Sequence, residues 1–294
     1  MFDRFEQHDL ETDRGPVHAL VGGSGPPLLV LHGYPETHLM WHGCAAALAQ
    51  RFSVVAADLP GYGDSHRPSP APDHAPHSKR AMASDLVQAM ADLGFERFAV
   101  AGHDRGGRVA YRMALDWAER VRALAVLDIV PTAEVWARAD ARLALAYWHW
   151  GFLAQPAPLP ERLIGSDPDG YYEHHIRRMG IGKDPRLYPK SVLDAYRRQL
   201  RDRGAVQAIC EDYRAGATID RTLDEADRAA GRRIEQPLLA LWGSHGALPL
   251  LYDDVAAIWR DWAPEADGAA LDATHFLVED RPADVAGRLV EFLG

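Results

Sequence analysis

Short, nearly unbroken apolar runs alternate along the chain with longer stretches in which apolar positions recur every three or four residues. The first pattern marks strands and the second helices. Val17 to Val21, Leu28 to His32, Ser53 to Asp58, Phe98 to Gly102, Ala123 to Asp128, Leu238 to Trp242 and Ala269 to Leu271 are predicted strands. Thr37 to Gln50, Lys79 to Leu93, Gly106 to Trp117 and Asp253 to Trp262 are predicted helices. This order predicts the α/β class: a mostly parallel central sheet flanked by helices, with ligands bound beyond the carboxyl ends of the strands.

The alternation breaks between Pro131 and Arg233, a stretch rich in Arg, Tyr and Trp with no strand pattern. Pro156-Ala157-Pro158-Leu159-Pro160 reads as a stiff connector, and helical patterns run over Glu134 to Phe152, Ser191 to Asp202 and Ala205 to Tyr213. We expect a helical cap, 132–233, inserted between two parts of the sheet domain, 1–131 and 234–294. A lid over the strand ends excludes water and strengthens every charge interaction beneath it. The Pro- and His-rich segment Arg67 to His77 is expected to be a surface loop.

The chemistry concentrates at those strand ends. Gly102-His103-Asp104-Arg105-Gly106 follows the run Phe98 to Ala101, and Gly-x-nucleophile-x-Gly between strand and helix is the nucleophile elbow of the α/β-hydrolase fold. A carboxylate in place of the usual hydroxyl attacks an sp³ carbon, displaces a leaving group and becomes an alkyl ester that water must cleave. A serine esterase or lipase is therefore disfavoured. With a helix starting at the elbow, Asp104 and Arg108 lie four apart on one face, and Arg105 follows the nucleophile directly. Two guanidinium groups beside an attacking carboxylate point to a substrate with a carboxylate of its own, since their planar forks suit that geometry. The plainer alternative pairs one arginine with a surface acid such as Glu119.

Net charge sharpens this reading. At −10 over 294 residues the protein repels nucleic acid, so a small anionic organic substrate needs local positive charge to bind. Hydrophobic content of 47% with 25% charged residues excludes disorder as the default. Cys44 and Cys210 are too few and too far apart for a disulfide framework or a metal site, and both read as small buried hydrophobes. The histidines are scattered, and the adjacent pair His174-His175 lacks the spacing that puts two ligands on one helical face, so neither metal nor cofactor is expected. No secretory leader pattern and no long apolar stretch is present, which makes a cytoplasmic protein without membrane association the expectation.

An ester intermediate needs a base to activate water and an acid to orient that base. His275, after the last predicted strand, is the candidate base, and Asp128, after Leu124-Ala125-Val126-Leu127, the candidate orienter. Asp253 is the alternative acid, because Trp242 to Leu248 carries none. His32-Gly33-Tyr34-Pro35 closes another strand, where the residue after the glycine donates a backbone N–H. Tyr34 and Arg105 would thus supply two donors to the oxyanion of ester hydrolysis. His32 reads as a turn and packing residue, and Glu36 as a partner for the dipole of a following helix.

Together, His32-Gly33-Tyr34-Pro35, Gly102 to Arg108, Arg112 to Asp116, Leu127 to Thr132, Tyr147-Trp148-His149-Trp150, Gln155 to Pro158 and Asp212 to Gly216 resemble the fluoroacetate dehalogenases, over sheet domain and cap alike. The resemblance implies that Asp104 attacks the α-carbon of a haloacetate while Arg105 and Arg108 hold its carboxylate. It further implies that His149, Trp150 and Tyr213 receive the departing halide, that His275 and Asp128 drive hydrolysis of the ester, and that the protein is a homodimer. Fluoride leaves poorly but accepts hydrogen bonds strongly, and imidazole, indole and phenol are all donors. An epoxide hydrolase of the same fold is the rival, although such enzymes use two cap tyrosines and have no reason for two arginines at the nucleophile. A silent binding protein of this fold would be expected to lack part of the set Asp104, Asp128 and His275. Fluoride and chloride release both stay open, because sequence supplies identities and not pocket volumes.

Overall fold

The computed structural model describes residues 2–182, 184 and 186–294. Eight strands form one sheet: β1 (Glu6–Leu10), β2 (Val17–Gly23), β3 (Pro27–Leu31), β4 (Ser53–Ala57), β5 (Phe98–His103), β6 (Val121–Leu127), β7 (Leu238–Gly243) and β8 (Asp267–Leu271). Their spatial order is β1-β2-β4-β3-β5-β6-β7-β8; β2 runs antiparallel to β1 and β4, and every other pairing is parallel. Leu28 to Leu31 and Phe98 to His103 are wholly buried, as expected of parallel strands covered on both faces. The register pairs Leu31 with Gly102, His103 with Leu127, and Leu127 with Leu241. The chain therefore leaves four neighbouring strands at one level, and the loops after them converge.

β1 carries no apolar run: it is an edge strand, mostly exposed, with Leu10 its buried residue. The segment predicted as one helix from Thr37 is a 3₁₀ turn, His38–Gly43, followed by a short α-helix, Ala45–Leu48. The helix after the elbow begins at Asp104, two residues before the expected start, and ends at Asp116. Lys79–Asp92 matches its expectation, and a terminal helix, Pro282–Leu293, closes the chain.

Between β6 and β7 the described residues form helices and turns without a strand. The expected continuous helix Glu134 to Phe152 is instead three: Thr132–Ala137, Ala141–Ala146 and Trp148–Leu153. Asp140 causes one break, because its carboxylate accepts the N–H groups of Arg142 and Leu143 and so caps a new helix. Asp202 does the same between Lys190–Arg201 and Arg203–Ala217. No helix among the described residues is long and apolar enough to cross a membrane.

The helix Asp104–Asp116 and this helical segment meet through buried charge. Arg105, Arg108 and Arg112 recur at i, i+3 and i+7, hence on one helical face, and all are buried. Arg105 pairs with Asp212, and Arg112 with Asp224 and Asp227. Arg108, between them, has no carboxylate partner among the described residues; its Nη1 donates to Val130 O at 3.0 Å and Thr132 Oγ1 at 3.2 Å.

Candidate active site

Asp104 sits where β5 passes into its helix, with φ of 42°, a left-handed conformation that costs a non-glycine residue about 1 kcal/mol or more. The turn is closed by close approach: a Cβ at Gly102 would lie 2.3 Å from Gly106 O, and one at Gly106 2.4 Å from His32 O. The Asp104 carboxylate is thereby held in a buried pocket, where the Tyr34 N–H donates to Oδ2 at 3.1 Å. The Arg105 N–H lies in the first turn of the helix, where backbone donors have no intrahelical partner. Burial pushes the Asp104 carboxyl up, but His275, Arg105, His103 and Arg108 more than offset it and hold it below the usual carboxylate range.

The loops after β6 and β8 bring Asp128 to His275. Asp128 Oδ2 lies 2.6 Å from His275 Nδ1, and Oδ1 accepts the Gly243 N–H at 2.9 Å. Nδ1 facing a carboxylate carries the proton, which leaves Nε2 as the basic nitrogen. Asp253, the alternative acid, is exposed. Asp104, Asp128 and His275 line one cavity of about 10 Å³ together with Tyr34, Arg108 and Tyr147. A wider cleft of about 340 Å³, bordered by Arg178 and His174, shares Tyr147, Met179 and His275 with it.

His149 and Trp150 also line the small cavity, whereas Trp148, the residue before them, is 43% exposed. Burial, with His175, His275 and Arg105 near, lowers His149 well below the ordinary histidine value, so the ring is neutral, and its Nδ1 is buried without a partner. Tyr213 is not among the lining residues. Its ring stands edge-on to Tyr34, His149 and Trp150 at 5.5, 5.8 and 6.1 Å, with the Arg105 guanidinium 4.2 Å from its centroid.

Arg105 is less free than its position beside the nucleophile suggested. Its Nε donates to Asp212 Oδ2 and its Nη2 to Asp212 Oδ1, both at 2.7 Å, with a further bond from Nη2 to Asp212 O. Only Nη1 remains, buried and unpartnered, as is Arg108 Nε. Both guanidinium carbons lie within 6 Å of the Trp150 ring centroid, at 5.8 and 4.6 Å. Arg108 makes no pair with Glu119.

Residues 26–282 match the family model for the alpha/beta hydrolase fold. The chain is 46% identical over 293 residues to a fluoroacetate dehalogenase of Burkholderia sp, covering 100% of this chain and 95% of the relative. The chain belongs to the α/β hydrolases, in the family of the fluoroacetate dehalogenases. A solved structure from Nostoc sp PCC 7120, described as an alpha/beta hydrolase, superposes with a TM-score of 0.95 at 46% identity, covering 100% of this chain and 99% of that one. A soluble epoxide hydrolase of Corynebacterium sp. (strain C12) is 29% identical over 278 residues, 94% of this chain and 93% of the relative.

The roles of four residues of this α/β hydrolase's site escaped the reading of its sequence. Glu36, taken for a helix-dipole partner, is fully buried; it accepts the Gly33 N–H at 3.1 Å and contacts His103 Nδ1 at 2.9 Å. Burial opposes charge on His103, but Glu36, Asp104 and Asp128 raise it to about 9, and its Nε2 donates to His275 O at 2.9 Å. The glutamate and histidine thus tie together the loops that carry Tyr34, Asp104 and His275. Tyr147, one tyrosine among several in its segment, lines both the cavity and the cleft outside it. Asp212 stands in the segment Asp212 to Gly216 that carries the resemblance, but nothing in the sequence pairs it with Arg105. A separate cluster, His18, His38 and Asp58, brings ligand-type atoms within 4.8 Å of one another and shares no residue with this site. Its Asp58 oxygens already accept from His38 and Asp64.

Proposed function

We propose that this α/β hydrolase is a hydrolytic dehalogenase of haloacetates, converting fluoroacetate or chloroacetate to glycolate and halide. The observation that carries the reading is Arg108, a buried cation without a protein carboxylate, beside a buried, ionised Asp104. An unpaired buried ion is costly, and a substrate carboxylate removes that cost. The fluoroacetate dehalogenase relative supports the same substrate class.

Asp104 Oδ1, the oxygen not held by Tyr34, attacks the α-carbon in line as the carbon–halogen electron pair departs with the halide. His149 and Trp150 donate to the leaving halide, with the Tyr213 ring edge-on to both; burial, with Asp104 near, keeps that phenol protonated well above its ordinary value. Water then attacks Asp104 Cγ while His275 Nε2 takes its proton, and the oxyanion forms on Oδ2 against the Tyr34 and Arg105 N–H groups. Collapse breaks the Cγ–Oδ1 bond, and the departing glycolate oxygen takes the proton held on His275; the remaining proton of the attacking water leaves the restored Asp104 carboxyl for solvent. Segment 132–233 acts as the cap that keeps bulk water out of the cavity that Asp104 lines.

Halide release from fluoroacetate and chloroacetate, followed with an ion-selective electrode, tests the reading beside Asp104→Asn and Arg108→Ala controls. Release by the wild type that both substitutions abolish is expected. No halide from either acid, with turnover of a test epoxide instead, would overturn it.

A further inference from the structure

The geometry points to Asp212 as a positioning residue that fixes Arg105 so that its Nη1 amino group alone is left for the substrate carboxylate; this rests on the carboxylate-binding role proposed above. A free guanidinium offers five donors and rotates about several bonds. Here one edge, Nε and Nη2, is closed by both Asp212 oxygens at 2.7 Å, and Nη2 is further bonded to the same residue's carbonyl at 2.9 Å. The next residue, Tyr213, closes the flat face with its ring centroid 4.2 Å from the guanidinium carbon. Two consecutive residues therefore remove rotation in two directions.

Asp212 is itself held. Tyr62 donates its hydroxyl to Oδ2 at 2.7 Å, and Lys79 Nζ contacts Oδ1; both partners are buried, and Lys79 is bonded through its backbone N–H to Asp220 at 2.8 Å. Gly216, one turn further along the same helix, leaves the room, since a Cβ there would stand 3.2 Å from Arg105 Nη2. Arg105 Nη1 and Arg108 Nε, both buried without a partner, are donors available to the oxygens of one carboxylate. Lys79 balances charge without reaching Arg105, so the cluster holds two cations against Asp212 and Asp220.

A contact made equally in ground and transition states alters KM and spares kcat. Asp212→Asn keeps the side chain's size and removes its charge, and KM for chloroacetate is expected to rise tenfold or more with kcat changed less than threefold. Loss of the charge also endangers folding, so Asp212→Asn is combined with Lys79→Met, which restores the balance. The double variant is expected to recover the melting temperature and to keep the raised KM. In an Arg105→Ala background Asp212→Asn should raise KM no further. Recovery of KM together with stability in the double variant, or an additive effect on top of Arg105→Ala, would show a merely structural residue and overturn the proposal. Acetate binding, read by tryptophan fluorescence, repeats the comparison without chemistry. A wild type that binds acetate but releases no halide sinks the dehalogenase reading alone; one that does neither sinks both.

Discussion

Replacing Arg108 by methionine separates what this residue does for the fold from what it does for the substrate. The side chain is 3% exposed and donates to two neutral oxygens, Val130 O and Thr132 Oγ1, with no carboxylate to neutralise it. Losing those bonds costs about 1 kcal/mol each, while removing a buried uncompensated charge in favour of an apolar chain of similar length returns about 1–4 kcal/mol. The balance lies between about 1 kcal/mol against and about 2 kcal/mol in favour of the variant, a shift in melting temperature of only about 2–4 °C either way for a chain of this size. Catalysis should move the other way. Truncating one partner of a buried charge pair costs about 2–5 kcal/mol, so kcat/KM for chloroacetate is expected to fall about 30-fold or more. Differential scanning calorimetry without substrate and initial rates of halide release form the assay. Acetate should stabilise the wild type and not the variant, because only the former binds it. A variant that melts many degrees lower would show Arg108 to be a structural cation, and one that keeps its kcat/KM would refute the carboxylate role outright.

Two further expectations follow from the same cluster. His275→Ala should still form the Asp104 ester but not hydrolyse it, so about one halide per enzyme is released in a burst and mass spectrometry finds the substrate fragment on Asp104; steady turnover would exclude His275 as the base. Because His103 is raised from 6.5 to about 9 by Glu36 and its neighbours, its charged form contributes to stability in full below pH 6.5, and the contribution fades as pH climbs through about 9. Denaturant midpoints should therefore decline across that window in the wild type and decline less in His103→Gln, and equal slopes would argue against the charge.

Central and edge strands were not equally legible. β3 and β5 are covered on both faces, so their apolar runs could not be mistaken, whereas β1 is paired on one side only and its polar residues obey no hydrophobic period. The break of the helical segment at Asp140 was decided by a local cap competing with helix propensity, a choice between one long helix and two short ones that periodicity does not register. Asp104, Asp128, His275, Tyr34 and Arg108 could be named because they follow strands, and parallel strands in register end together. Asp212 comes from a helix more than a hundred positions later in the chain, and the partner of a buried charge is fixed by packing and not by spacing. Glu36 was misread for a related reason: a helix start explains an acid locally, and only the three-dimensional structure shows His103 standing against it.

The arginines on the helix Asp104–Asp116 connect fold and chemistry through one rule. A buried guanidinium must find a negative partner, and the helical segment between β6 and β7 supplies one to Arg105 and two to Arg112. It supplies none to Arg108, on the same face between them and nearest to Trp150. If the missing acid were only an accident of packing, a neutral residue would serve there at no loss. A carboxylate would supply the missing charge, and Arg105 Nη1 and Arg108 Nε are both buried donors without a partner. An alkyl halide or an epoxide brings no such charge, so it would leave Arg108 as costly as in the empty protein. On the proposed reading, a haloacetate would complete the row of ion pairs with its α-carbon turned toward Asp104. On that reading, specificity for an acid is built into the same interface that holds the helical segment to the sheet.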